Sequence, residues 1–263
     1  MNQVFDIKRF TLLARLKFSL HKNALGLSIA GYYALLFIIG FFIAYAHRND
    51  ASASFEGFHY VCMGLMMILG GVVLAGRAFQ DMNTSEKSNF QIMTPASNLE
   101  KLILPLISTS IGWLLFSYIS YVIFALLFNG IWSAAFGIHF EFFAGTEMFK
   151  IEYFGDQVLG FFVMHSVYLL GSAAFKKYPI VKTILTQFII NWGMMLVALL
   201  GIIVFFGSIE DFGNKMDSMD KFILEQNLEL LEQNARTIFR ILGFLLMAAL
   251  YTTAYYKLRE REV

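Results

Sequence analysis

The chain has 263 residues, 58% of them hydrophobic and 15% charged, with a formal net charge of +1. That leaves too few polar side chains to coat a water-soluble fold of this length, and no Lys/Arg-rich tract of the kind that follows a nucleic-acid backbone. The one cysteine, Cys62, has no partner for an internal disulfide and reads as a small packing residue.

The first patterned segment is residues 4–22. At 100° per residue Phe5, Leu12, Leu13, Leu16 and Leu20 fall on one arc, with Lys8, Arg15 and Lys22 opposite; Arg9 intrudes on the apolar arc, and Ile7 and Phe10 lie off it. The pattern predicts an amphipathic helix lying along a membrane interface, or else a charged topology anchor.

Six apolar runs follow, at 24–46, 57–76, 103–128, 157–175, 183–206 and 238–256, and none contains a carboxylate. Each has about the twenty residues an α-helix needs to cross ~30 Å of hydrocarbon. The expected fold class is all-α, a single polytopic domain over 1–263 with six transmembrane helices. Ala44-Tyr45-Ala46 has the form of a signal-peptide cleavage site, but the apolar stretch before it is too long and begins too far into the chain, so the first run is kept as a span.

Lys and Arg alternate between the segments joining the runs. Fourteen lie on the side of the two termini and of the second and fourth connections, against five on the other. The positive-inside rule then places both termini in the cytoplasm, 77–102 as a cytoplasmic loop, and 129–156 and 207–237 as outer loops.

The second connection is the most informative. Asn83-Thr84-Ser85-Glu86 can form a capping box opening a short helix over about 84–92, which Thr94-Pro95 ends. Ser97-Asn98-Leu99-Glu100 is a second box, starting the third span, and Pro105 is expected to kink it. Phe90, Ile92 and Met93 are left at the end of a small cytoplasmic helix, either to dip into headgroups or to dock on a partner. On the outer side, Trp132, Phe136, Phe140, Phe142, Phe143, Phe149, Tyr153 and Phe154 read as interfacial anchors, and 216–234 as a helix running into the sixth span.

Polar residues inside the runs are few. His165 sits near the middle of the fourth, and Gln187 and Asn191 share a face of the fifth. Counted from the short turn between the two runs, His165 and Asn191 reach comparable depths, which predicts a hydrogen bond or shared water between them, as interhelical glue or as part of a conduction path. Arg240 is expected to snorkel to the surface or pair with an outer acid. Gly64, Gly70, Gly71, Ala75 and Gly76 predict close helix contact along the second run.

The motifs G-x-x-x-x-G-K-[ST], H-E-x-x-H and G-x-S-x-G do not occur, and His47, His59, His139 and His165 lack metal-ligand spacing. The expectation is no catalytic residue, no cofactor and no metal, and a chain that is not itself an enzyme.

The order of these elements resembles the membrane subunits of ABC-2 type exporters. Locally, Arg77-Ala78-Phe79 leaves the second run, and Glu86-Lys87 leads through Met93-Thr94-Pro95-Ala96-Ser97-Asn98-Leu99-Glu100-Lys101. That text is similar to the family's acidic residue, short helix, and proline followed by a small polar residue and Glu before the third span. The 28 residues of 129–156 are more than the short hairpin usual there. The resemblance implies a permease in the bacterial cytoplasmic (inner) membrane, paired with a second permease subunit and with a separate ATP-binding-cassette ATPase subunit. It further implies that Glu86, Lys87, Phe90 and Met93 lie on a coupling helix contacting the ATPase, that the amino-terminal helix braces the same partner, and that substrates are amphipathic or large, such as lipids, polysaccharides or antibiotics. On the residues alone, a non-transporting membrane scaffold or assembly protein and a passive channel remain open.

Overall fold

Long runs of Leu, Ile, Val, Phe and Met leave the backbone's own polar groups to be satisfied, and a helix does this within the segment itself. The computed structural model describes residues 5–46, 56–80, 96–136, 151–218 and 221–262, and every regular element among them is helical. The helices are α1 (Ile7–Ala46), α2 (Glu56–Arg77), α3 (Asn98–Ile107), a π-helical turn (Ser108–Gly112), α4 (Trp113–Phe136), α5 (Ile151–Ala174), α6 (Pro179–Phe206), α7 (Ile209–Ser218) and α8 (Lys221–Glu262). Five stretches are long and apolar enough to cross a membrane: Ile7–Ala46, Gly57–Arg77, Leu99–Phe136, Pro179–Phe206 and Gln233–Glu260; a shorter apolar stretch, Val158–Ala174, lies on α5.

The amphipathic segment expected to lie apart along an interface is continuous with the first apolar run. α1 is one helix of 40 residues, roughly 60 Å long at ~1.5 Å per residue. Nothing at His21-Lys22-Asn23 breaks it, and the partner it follows is the same at both ends. Arg9 meets Glu100, Tyr33 meets Phe124, Phe37 meets Phe128, Phe41 meets Trp132 and Tyr45 meets Phe136, with 91 positions between the members of every pair. α1 therefore runs parallel to α3–α4 in constant register, and four of its aromatic rings, one turn apart, form a ladder against α4. Of the apolar arc read from the sequence, Leu13 alone is buried; Phe5, Leu12 and Leu20 are exposed.

α4 also runs further than the third apolar run, to Phe136. Trp132 and Phe136 are thus helix-packing residues and not loop anchors; Trp132 is buried among Phe37, Phe41, Phe128 and Phe136. Residues 137–150, with Phe140, Phe142, Phe143 and Phe149, lie outside the described residues. At the other outer segment, residues 216–218 of the helix expected over 216–234 belong to α7, and from Lys221 the chain enters the sixth run without a break, as the 42-residue α8.

α2 is the central wedge, and its small residues set its distance from its neighbours. The Trp113 indole lies over Gly70 and its Nε1 donates to the Met67 carbonyl (3.1 Å). Phe161 of α5 covers Gly71, Ile180 of α6 covers Gly76, and Ala75 is fully buried, while Gly64 faces open space. α2 runs alongside α5 in the same direction, with Gly71 beside Phe161 and Phe79 beside Ser172. α5 and α8 are parallel too, pairing Leu159 with Gly243 and His165 with Tyr251.

Both ends of the described chain come to one end of the bundle. There Leu258 shares a buried cluster with Leu102, Phe79, Leu169 and Ala173, next to the contact of Asp6 and Arg9 with Glu100. A sharp turn at the same end, with Tyr178 left-handed (φ 53°) and Pro179 opening the next helix, starts α6. Thr183 packs under Gly171, but from residue 184 to 206 no residue of α6 is buried.

Gly70→Ala should lower stability by about 1–3 kcal/mol, because a rigid indole cannot yield to the added methyl. Gly64→Ala, with nothing near it, should be neutral or slightly stabilising; melting midpoints of the two variants in detergent check the contrast.

Candidate functional sites: two buried histidine nodes and an enclosed carboxylate

The first node grows from a proline. Pro105 has no N–H to give the preceding turn, and just beyond it the helix loosens into the π turn Ser108–Gly112. Within that turn Thr109 Oγ1 donates to the Pro105 carbonyl (2.6 Å) and lies 2.7 Å from His165 Nε2. The other ring nitrogen, Nδ1, is 2.8 Å from the Tyr251 hydroxyl. With the Thr109 proton committed to Pro105, the consistent assignment has Nε2–H donating to Thr109 and Nδ1 accepting from Tyr251, a neutral imidazole satisfied at both nitrogens. His165 is 1% exposed, and through it α5 joins the π turn and α8.

The second node repeats the pattern on α2. His59, also 1% exposed, has Nδ1 3.2 Å from the Tyr121 hydroxyl and Nε2 3.0 Å from Asn129 Oδ1, so Nε2–H donates to the amide oxygen and Nδ1 accepts from the phenol. Beside it Tyr32 donates to the Cys62 carbonyl and Tyr33 to Ser120 Oγ (2.7 Å). Sequence reasoning placed His59 only among histidines without metal spacing. Its partners are 62 and 70 positions away on another helix. Asn129, a lone amide in an apolar helix, was the signal available.

The third feature is a carboxylate with no exposure at all. Glu100 closes the capping box that its spacing predicts: Ser97 Oγ accepts from the Glu100 N–H (3.2 Å) and Glu100 Oε2 accepts from the Ser97 N–H (2.9 Å). Its other oxygen accepts from the Asp6 N–H (2.6 Å) and from Arg9 Nη2 (3.0 Å). Asp6 in turn caps α1, accepting from the N–H groups of Lys8 (2.7 Å) and Arg9 (3.3 Å). Burial pushes the Glu100 carboxyl up, but the N–H groups of Asp6 and Ser97 and the Arg9 guanidinium outweigh it and hold the group below its ordinary value. The Lys8 and Arg9 N–H groups lower Asp6 in the same way.

The residues singled out from sequence are thus dispersed. His165 sits in a node, but not with Asn191: both ring nitrogens are taken by Thr109 and Tyr251, and Asn191 is exposed on α6. Equal depth on consecutive helices does not make two residues face each other, and beyond Thr183 no residue of α6 is buried. Gln187 stays in reach of α5, its Nε2 donating to the Met164 sulfur (3.4 Å). Glu86, Lys87, Phe90 and Met93, like the short helix expected around them, lie outside the described residues. Among the described residues no group of three or more His, Cys, Asp and Glu side chains could hold a metal ion.

Comparison with protein-family models, with characterised proteins and with solved structures gives no match. What the fold defines is a bundle of apolar helices consistent with a membrane protein, with polar contacts placed at its helix crossings.

Two outcomes test these contacts. Double-mutant cycles on thermal stability should couple His165→Ala with Tyr251→Phe by roughly 0.5–2 kcal/mol and leave His165→Ala with Asn191→Ala additive. The Glu100 contribution has a defined sign in pH: a carboxyl lower in the folded than in the unfolded chain stabilises fully above the ordinary value of 4.5, and that stability is lost as pH falls through the depressed one. Melting midpoints on acidification should therefore fall more steeply for the native chain than for Glu100→Gln.

Proposed function

We propose that the chain is the permease subunit of an ABC-2 type exporter in the bacterial inner membrane. It crosses six times, at about 24–46, 57–76, 103–128, 157–175, 183–206 and 238–256, with both termini cytoplasmic, and ATP is hydrolysed by a separate subunit. The alternation of helix directions supports this wiring. α1 and α4 point one way, α2, α5 and α8 the other, and the two chain ends gather at one end of the bundle.

The observation that carries the reading is the enclosed Glu100. The family-like text of residues 77–101 ends on Glu100-Lys101, and the Glu100 carboxylate is bonded to the start of α1. A partner gripping 84–93 would pull on Ser97 and Glu100, and so on the first and third spans together. In this reading Glu86, Lys87, Phe90 and Met93 supply the grip, and a second permease subunit completes the translocation path.

Phe90→Asp should abolish co-purification with an ATP-binding-cassette subunit in mild detergent while leaving the thermal transition of the spans unchanged. Retained association in that variant overturns the assignment.

A further inference from the structure

Between α5 and α8, at the end of the bundle away from Glu100, lies a groove of about 610 Å³. Among the residues lining it are Leu159, Val163 and Met164 from one helix and Arg236, Phe239 and Arg240 from the other. The two arginines are four residues apart, one above the other on the same face of α8. Gly243 keeps the wall low further along, since a Cβ there would come 3.1 Å from Leu159 Cδ2. The groove is thus a cationic head above an apolar trough that runs toward the middle of the bundle.

We propose that this groove binds an anionic phospholipid, with the phosphate on Arg236 and Arg240 and one acyl chain lying along Phe239, Leu159 and Val163. Three arguments fix that chemistry. Guanidinium forks match phosphate oxygens in pairs, and two forks one turn apart present a wider donor set than one. Both arginines also interact within the chain, but each carries five N–H donors, enough to hold a phosphate besides. Arg240 lies two positions inside the sixth apolar run, a depth from which an arginine snorkels to the headgroup level where lipid phosphates lie. A free phosphate shares the head chemistry but leaves the apolar trough empty, whereas a lipid covers both. The proposal rests on the chain being in a bilayer and not on its being an exporter.

The test uses the full chain, delipidated in detergent and offered equal amounts of phosphatidylglycerol and phosphatidylcholine, with bound lipid counted by native mass spectrometry. The native chain should retain phosphatidylglycerol preferentially. R236Q/R240Q should lose that preference, by roughly fivefold per arginine. R236K/R240K, which keeps the charge but not the fork, should retain a reduced preference that still exceeds that of R236Q/R240Q, which separates lost charge from lost fold. Gly243→Leu, which fills the trough without touching charge, should lower retention of both lipids. Equal retention of the two lipids by the native chain, or an undiminished preference in R236Q/R240Q, overturns the proposal. So does displacement of phosphatidylglycerol by millimolar inorganic phosphate that Gly243→Leu binds as well as the native chain, since the ligand is then the free anion. None of these readouts involves an ATPase, so the exporter reading and the lipid site fail independently.

Discussion

A carboxylate with no exposed surface has to be satisfied by the chain itself, and at Glu100 three donors do so: the N–H groups of Asp6 and Ser97 and the Arg9 guanidinium. The cost of burying that charge is offset only if all of them stay. Because the donors come from two segments 94 positions apart, the start of α1 and the start of α3 are held as one unit. The constant spacing of 91 between α1 and α3–α4 follows. Once Arg9 is fixed on Glu100, two helices of the same pitch stay in step, and the aromatic ladder from Tyr33 to Tyr45 meets Phe124 to Phe136 without adjustment.

The same logic explains why the two histidine nodes lie where helices cross. Between apolar helices in lipid there is little to choose among registers, since one Leu or Ile face packs much like the next. A buried imidazole with two specific partners removes that freedom. His59 sets α2 against α4 through Tyr121 and Asn129; His165 sets α5 against the π turn and α8 through Thr109 and Tyr251. The glycines act alongside: Gly70 and Gly71 bring Trp113 and Phe161 onto the α2 backbone, a distance at which a one-residue slip would meet a side chain.

Much of the scaffold was legible because it is written locally. Apolar run length gave the helices, the S-x-x-E spacing gave the cap at Ser97, and the small residues of α2 gave its close contacts, all properties of neighbours in sequence. What was not legible depends on pairing between distant segments. The segment 7–22 has the moment of an interfacial helix, yet its direction is set by Glu100, nine tens of residues away in sequence, so it continues straight into the first apolar run. His165 and Asn191 matched in depth, but Thr109 and Tyr251, from segments distant in sequence, take both ring nitrogens, and no local pattern encodes which helices meet there. Trp132 carries the composition of an interface anchor and becomes a packing residue because Phe37 and Phe41 of α1 arrive beside it.

The π turn is where these constraints meet. α3, below it, is packed into the cluster that holds Leu258 and Phe79; α4, above it, is locked to α1 and α2. Ser108–Gly112 joins the two with a looser hydrogen-bond ladder, and Pro105 removes one bond more, so a relative rotation of the pieces costs least there. Thr109, in that turn, is also the residue that holds His165. In the proposed permease, a force on the connection before Ser97 would reach Glu100 first, then α3, and would be converted at this turn into a change in how α5 and α8 meet. That pair of helices also forms the groove carrying Arg236 and Arg240.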